Sequence, residues 1–277
     1  MSNESPTLAF IGGGNMARSL IGGLIADQFE ADRIWVADPH AEGLGRLRAE
    51  FAVHTTTDNC AAAAHADVMI LAVKPQALRE VAGELSQTVQ AHRPLVVSIA
   101  AGIREIDINR WLGGDVAIVR TMPNTPALVK SGATGLYANP LVSASQRELA
   151  ETVMRSVGVT LWVDGEEQLD AVTALSGSGP AYFFLFMEYL EAAARELGLS
   201  AEAAHLLTLE TAFGAARMAL SSKESTAELR QRVTSPGGTT EKALQQFEAG
   251  DFEQLVKTAL RAACERSKEL AEILGSD

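Results

Sequence analysis

Cysteine is nearly absent from this chain of 277 residues: only Cys60 and Cys264 occur, far apart in sequence. Two isolated thiols suggest neither a disulfide framework nor a metal site. The five histidines, His40, His54, His65, His92 and His205, are scattered without ligand spacing. Each reads as a surface or capping residue, so no metal is expected. Long hydrophobic runs are also missing. The longest, Val68 to Val73 and Leu95 to Ile99, are too short to span a bilayer, and no charged start followed by an apolar stretch resembles a signal peptide. Together these absences lead us to expect a cytoplasmic protein. Positive charge is in short supply: 23 Lys and Arg face 35 Asp and Glu, for a net charge of −12. That balance argues against nucleic acid as a partner. It also means that an anionic substrate needs a locally positive site. What the chain does have is apolar residues, at 47%, enough for one large or two medium domains.

The N-terminal stretch carries the first motif. Thr7-Leu8-Ala9-Phe10-Ile11 has strand character, Gly12-Gly13-Gly14-Asn15-Met16-Ala17 follows at once, and Leu20, Ile21, Leu24 and Ile25 mark a helix. This is G-x-G-x-x-A between a strand and a helix, the context expected of a dinucleotide site. Gly12 permits the tight turn, Gly14 lets a pyrophosphate approach the backbone, and Ala17 allows close helix–strand packing. The next strand, Arg33 to Ala37, ends at Asp38. An acidic residue there bonds the ribose of NAD, or else Asp38-Pro39 caps the following helix. His40, Arg33 and Arg46 lie close enough in sequence to help hold the 2′-phosphate of NADP. Both NAD and NADP stay open as cofactors.

Residues 7 to about 163 alternate between apolar β-rich runs and helical patterns. The later runs are Asp67–Val73, Leu95–Ile99, Val116–Arg120, Thr134–Tyr137 and Val159–Val163. Such runs imply a parallel sheet covered on both faces, in a doubly wound α/β fold of Rossmann type. After Asp164 strand-like runs vanish. Helical segments take over at 180–197, 201–221 and 252–273, the first apolar on most sides from Ala181 to Leu190. A helix of that kind needs burial all round, within its own domain or, more completely, against a partner subunit. The expected division is residues 1–164 as the dinucleotide-binding domain and 165–277 as an all-α dimerisation and substrate-binding domain.

Strand ends are where open α/β sheets bind ligands. Ala72-Val73-Lys74-Pro75 ends one strand, Ala100-Ala101-Gly102 follows another, and Pro123-Asn124-Thr125-Pro126 follows a third. Lys74 is placed to neutralise phosphate or to be merely solvated. The small residues Ala100 and Gly102 leave room for a flat ring or simply form a turn, and Asn124 has the chemistry to bond a carboxamide. Residues 231 to 247 hold the second motif: Val233-Thr234-Ser235-Pro236-Gly237-Gly238-Thr239-Thr240-Glu241, then Leu244 and Phe247 at helical spacing. A tight loop feeding a helix N-terminus offers unpaired N–H groups and a positive dipole end, suited to a small carboxylate. The same residues also serve as ordinary capping chemistry.

Taken together, Phe10 to Ala17, Ala72 to Pro75, Arg120 to Pro126, Leu175 to Ala181 and Val233 to Thr240 resemble the pyrroline-5-carboxylate reductase family, from about Leu8 to about Leu270. The resemblance implies an oxidoreductase that uses NADP or NAD to reduce a cyclic imine to L-proline. It implies that Gly12, Gly14, Asn15, Met16 and Ala17 cradle the pyrophosphate, that Ala72, Lys74 and Pro75 touch ribose and phosphates, and that Ala100, Gly102, Pro123 and Asn124 frame the nicotinamide. Ser235, Gly238, Thr239 and Thr240 would hold the substrate carboxylate, mainly through backbone N–H groups, with the Thr240 hydroxyl, the catalytic group, facing the ring nitrogen. It further implies an intertwined homodimer assembled into a decamer. Asp38 is the position that leaves use of NADH open.

Two other readings compete. A hydroxyacid dehydrogenase relative would carry a lysine on the helix behind its glycine-rich loop, but Ser176 to Pro180 runs into Ala181 to Leu190 without one. A non-catalytic dinucleotide sensor explains Gly12 to Ala17 but not the loop at 235–240.

Overall fold

The computed structural model describes residues 5–276. In chain order its first part runs β1 (Leu8–Ile11), α1 (Asn15–Ala26), β2 (Ile34–Ala37), α2 (Ala41–Phe51), β3 (His54–Thr56), α3 (Asn59–Ala63), β4 (Val68–Leu71), α4 (Pro75–His92), β5 (Leu95–Ser98), α5 (Glu105–Trp111), β6 (Ile118–Met122), β7 (Gly132–Ala138), α6 (Ala144–Arg155), β8 (Gly158–Trp162) and α7 (Gln168–Val172). One sheet contains all eight strands in the order β3-β2-β1-β4-β5-β6-β7-β8. The strands alternate their side chains between two cores. Leu8, Phe10, Val68 and Ile70 face one; Ala9, Ile11, Met69 and Leu71 face the other. Period-two alternation between two buried faces is why these strands read as unbroken apolar runs.

The sheet departs from expectation in two places. β7 runs antiparallel to β6, because the segment between them is too short for the crossover that a parallel return needs. β8 then returns parallel to β7 through α6. β3 had no apolar run to announce it: it is a three-residue edge strand, exposed or half-buried throughout.

The remaining elements are α8 (Gly179–Glu196), α9 (Ala201–Ser221), α10 (Thr226–Arg232), α11 (Thr239–Ala249) and α12 (Phe252–Gly275). The compact unit carrying the sheet extends to Ser178 and takes in the chain again from Ala262, while Gly179–Arg261 form a second unit. Asp170, buried on α7, accepts Arg104 Nη2 at 2.7 Å and Ser267 Oγ at 2.7 Å, tying α7 and the end of α12 to the start of α5. Beside it, Glu166 accepts the N–H of Glu105 at 2.5 Å and the guanidinium of buried Arg120 at 2.6 Å. Burial pulls the Arg120 pKa down; the Glu166 carboxylate opposes that shift.

In the second unit α8 is apolar but uncovered in the single chain: Phe183, Phe184 and Tyr189 are each more than 60% exposed. Phe186, Phe247 and Phe252 cluster with ring centroids 5.5–6.5 Å apart and seat α11 on α8. Among the described residues no helix is long and apolar enough to cross a membrane.

Asp170→Ala should cost about 3 kcal/mol, the scale of breaking a buried ion pair. It should lower the melting temperature and raise hydrogen exchange in residues 262–276. Wild-type melting and exchange would refute the tie.

Candidate dinucleotide and anion sites

The glycine loop is held at both flanks by backbone bonds. Gly12 N–H donates to the Ala37 carbonyl at 2.7 Å, and Ala72 N–H to the Ile11 carbonyl at 2.8 Å. Gly12 has φ +106°, and a Cβ placed on it would lie 2.7 Å from the Ala72 carbonyl oxygen. Only glycine fits a left-handed residue in so close an approach. Gly14, the N-cap of α1, is exposed, and a Cβ there would meet no atom within 4 Å. α1 starts with no side-chain cap and no acid in its first turn. Its first N–H groups and dipole therefore face open space, an arrangement that fits the pyrophosphate of a dinucleotide. Ala17 is buried against the sheet. Gly13, Gly14 and Asn15 line a cavity of about 490 Å³ together with Arg18, Arg46 and Glu50.

Asp38 belongs to this loop. Its Oδ2 accepts the Gly13 N–H at 2.8 Å, and its Oδ1 accepts the N–H and ring Nδ1 of His40 at 2.8 and 2.9 Å. Burial alone would push its pKa up. The bonds from Gly13 and His40 outweigh that and hold it below the ordinary carboxylate value. Arg33, expected near a 2′-phosphate, lies at the opposite end of β2 from Asp38.

The other predicted positions all follow strand ends on the same side of the sheet. Ala72, Lys74 and Pro75 follow β4, with Lys74 exposed at the N-cap of α4 and Pro75 in its first turn. Ala100 and Gly102 follow β5 and are buried; the Cβ direction of Gly102 points at Leu270 of α12, 3.4 Å away. Pro123 and Asn124 follow β6. The Asn124 side chain is already committed: Nδ2 donates to Ser176 Oγ at 3.1 Å and to the Ser176 carbonyl at 3.3 Å, and Oδ1 accepts the Ala133 N–H at 2.9 Å. With both amide protons spent, it is not free to donate to a carboxamide. It clips the end of β6 to the start of β7 and to Thr173–Gly177, a single wide π turn. Sequence reading missed Ser176 as its partner; no local pattern links positions that far apart.

The second motif is carried by the other unit. Gly237 has φ +74°, the left-handed turn that the glycine pair foretold, and α11 begins at Thr239 with Gly238 as N-cap and no side-chain cap. Two loop N–H groups are already used: Gly237 donates to Glu241 Oε2 at 2.8 Å and Gly238 to the Ser235 carbonyl at 3.0 Å. Gly238 is thus not a free donor, as had been expected of it. The first-turn N–H groups of Thr239 and Thr240 are left for an anion. Ser235 and Thr239 are exposed and Thr240 half-buried.

Three of the histidines take structural places. His54 and His65 stack on Trp35 with centroids 4.6 and 4.4 Å away, and His205 pairs with Glu191. Asp58, Cys60 and Glu84 bring ligand-type atoms within 4.8 Å of one another, a grouping that linear spacing concealed. Asp58 there caps α3 through the Ala61 N–H.

A doubly wound sheet with this glycine loop is a dinucleotide-binding architecture, and the comparisons place the chain among the NAD(P)-dependent oxidoreductases. A family model described as NADP oxidoreductase, coenzyme F420-dependent, matches residues 7–102. A second, described as pyrroline-5-carboxylate reductase dimerisation, matches residues 166–270. The chain is 54% identical over 272 residues to the pyrroline-5-carboxylate reductase of Pseudomonas aeruginosa, covering 98% of this chain and 99% of that one. It is 42% identical to the Haemophilus influenzae enzyme of the same name, covering 95% and 97%. Among solved structures, a pyrroline-5-carboxylate reductase from Coxiella burnetii is 48% identical with a TM-score of 0.93, covering 97% and 99%. The Plasmodium falciparum pyrroline carboxylate reductase, solved with NADP bound, is 29% identical with a TM-score of 0.86, covering 98% and 100%. The chain belongs to the pyrroline-5-carboxylate reductase family.

Gly12→Ala should weaken dinucleotide binding more than about tenfold, since it combines a strained backbone with a clash. Asn124→Ala should leave dinucleotide affinity within about threefold while raising hydrogen exchange at 173–177, as expected when a buried hydrogen-bond clip is lost. A large loss of affinity without a change in exchange would show instead that the amide touches the cofactor.

Proposed function

We propose that this chain reduces the cyclic imine 1-pyrroline-5-carboxylate to L-proline with NADPH or NADH, the last step of proline biosynthesis. One observation carries the reading. A glycine loop open to a dinucleotide and a helix terminus uncapped for a carboxylate occur together in a chain related along its whole length to enzymes of that name.

The roles follow from the chemistry of each group. Gly12, Gly14, Asn15, Met16 and Ala17 hold the pyrophosphate, and Ala72, Lys74 and Pro75 hold the ribose and phosphates. Ala100, Gly102 and Pro123 leave a flat slot for the nicotinamide, and Asn124 sets its edge by position. The reduced nicotinamide supplies the hydride that adds to the imine carbon. A protonated imine accepts a hydride far more readily than a neutral one, so the protein need not provide a strong acid. Its work is to orient the ring and exclude water, which suits a chain in which His54, His65 and His205 are engaged elsewhere. The N–H groups of Thr239 and Thr240, with the Ser235 hydroxyl, hold the substrate carboxylate. Each hydrogen bond to that charge contributes roughly 1.5–3 kcal/mol, enough to hold an anion on a protein of net negative charge. Thr240 Oγ1 faces the ring nitrogen, keeps the C=N carbon in register and relays its proton. The exposed apolar face of α8 supports an intertwined homodimer, which we further propose assembles into a decamer in the cytoplasm.

Mixing the protein with pyrroline-5-carboxylate and either reduced cofactor should consume the nicotinamide absorbance and yield proline in equal amount. Thr240→Ala should lower kcat/KM roughly 10- to 100-fold, the worth of one hydrogen bond to a charged group, while Thr240→Ser retains most activity and cofactor affinity holds in both. Unchanged kinetics in the alanine variant would remove Thr240 from the mechanism.

A further inference from the structure

We infer that Glu166 is a positioning residue for hydride transfer, acting through Glu105 and Arg120 to fix the two strand-end loops that wall the nicotinamide slot. The inference rests on the reductase reading in taking Ala100, Gly102 and Pro123 as those walls.

The loop between β5 and α5 is short, residues 99–104. At its sheet end Ser98 Oγ accepts the Ala100 N–H at 3.3 Å. In its middle Gly102 has φ +69° and is backed by Leu270. Its far end is held by charged groups. Glu166 Oε1 accepts the Glu105 N–H at 2.5 Å, and Asp170 Oδ2 accepts Arg104 Nη2 at 2.7 Å. Asn139 Nδ2 donates to Glu105 Oε1 at 2.7 Å, so the first residue of α5 is held by its side chain as well as by its N–H. The other wall follows β6, which carries Arg120 shortly before Pro123. Arg120 Nη1 donates to the same Glu166 oxygen at 2.6 Å. One carboxylate oxygen thus sets the distance between the end of one loop and the strand that feeds the other.

Stability does not account for this arrangement. The Arg120 and Glu166 side chains are only 7% and 20% exposed. Taking two charges out of water offsets much of their attraction, and apolar side chains of similar volume often hold a fold as well or better. What an apolar pair lacks is direction, whereas charge-assisted hydrogen bonds fix both distance and angle. Hydride transfer needs that control. Reacting atoms must meet at about 3–3.5 Å, and a displacement of about 1 Å costs roughly 100-fold in rate.

Two double variants of the full-length protein remove the ion pair without leaving a buried charge. Arg120→Met with Glu166→Gln keeps an oxygen for the Glu105 N–H; Arg120→Met with Glu166→Leu does not. Each is mixed with pyrroline-5-carboxylate and reduced nicotinamide carrying hydrogen or deuterium at the transferred position, and a single turnover is followed. We expect the leucine variant to transfer hydride roughly 10- to 100-fold more slowly, with a larger isotope effect on kcat. The glutamine variant should stay within about threefold of wild type, and dinucleotide affinity should hold within about threefold in both. In the cofactor-free protein, hydrogen exchange at residues 100–105 should rise in the leucine variant alone. Glu166→Asp keeps the charge opposite Arg120 but shortens the reach, so it should show the same slow transfer and serves if the leucine variant does not fold. Equal rates in the leucine and glutamine variants, or a lower melting temperature with an unchanged isotope effect, would overturn the inference and leave the reductase reading standing. No turnover by the wild type would overturn both.

Discussion

Everything in the cofactor-binding half depends on one close approach. The chain leaving β1 must turn at Gly12 against the carbonyl of Ala72, with no room for a side chain and a backbone angle that L-residues avoid. That turn points the start of α1 away from the sheet and leaves its first N–H groups unpaired. It also brings Gly13 within reach of Asp38. The open start of α1 and the bond between Gly13 and Asp38 are thus two consequences of one steric constraint.

The second motif uses the same physics with different residues. A left-handed glycine, Gly237, replaces Gly12, and Gly238 replaces Gly14 as a bare N-cap. In both places the helix N-cap is a glycine with no side-chain cap, and a carboxylate braces the residue before it, Asp38 at Gly13 and Glu241 at Gly237. Elsewhere Ser143 and Ser225 form capping boxes with Gln146 and Glu228, and Asp58 and Ser200 cap α3 and α9, while α2, α4 and α5 also begin without a side-chain cap. Leaving a helix start open costs stability. The starts of α1 and α11 differ from the other uncapped starts in having a glycine as N-cap, an arrangement that lets an anion approach the backbone.

The two glycine loops, most strands and the long helices were legible from the amino-acid sequence because each is a local pattern. A left-handed glycine, a run of apolar residues and a helical repeat all declare themselves within a dozen positions. The illegible features were long-range. β3 has no apolar run because it lies at an edge. The tie of α7 to α5 and α12 was hidden because Asp170 answers to Arg104 and Ser267, which are distant in sequence. Asn124 looked like a free amide until Ser176 and Ala133 were seen around it. Gly238 looked like a donor until Ser235 was found to accept its N–H.

Two of these features share a direction: the Asn124 amide and the Gly238 N–H are each given to holding a loop in shape. In the roles proposed above, the ligand-facing chemistry is almost entirely backbone N–H and one threonine hydroxyl. Such a site has little acid–base power of its own. It suits a substrate whose reactivity resides in its own iminium and a cofactor that brings the hydride, leaving the protein to supply position and a dry enclosure. Rigidity is then the main catalytic asset. The density of internal hydrogen bonds around Gly13, Asp38, Asn124 and Ser176 is what that requirement predicts, because a site that works by geometry must hold its own groups before it can hold anything else.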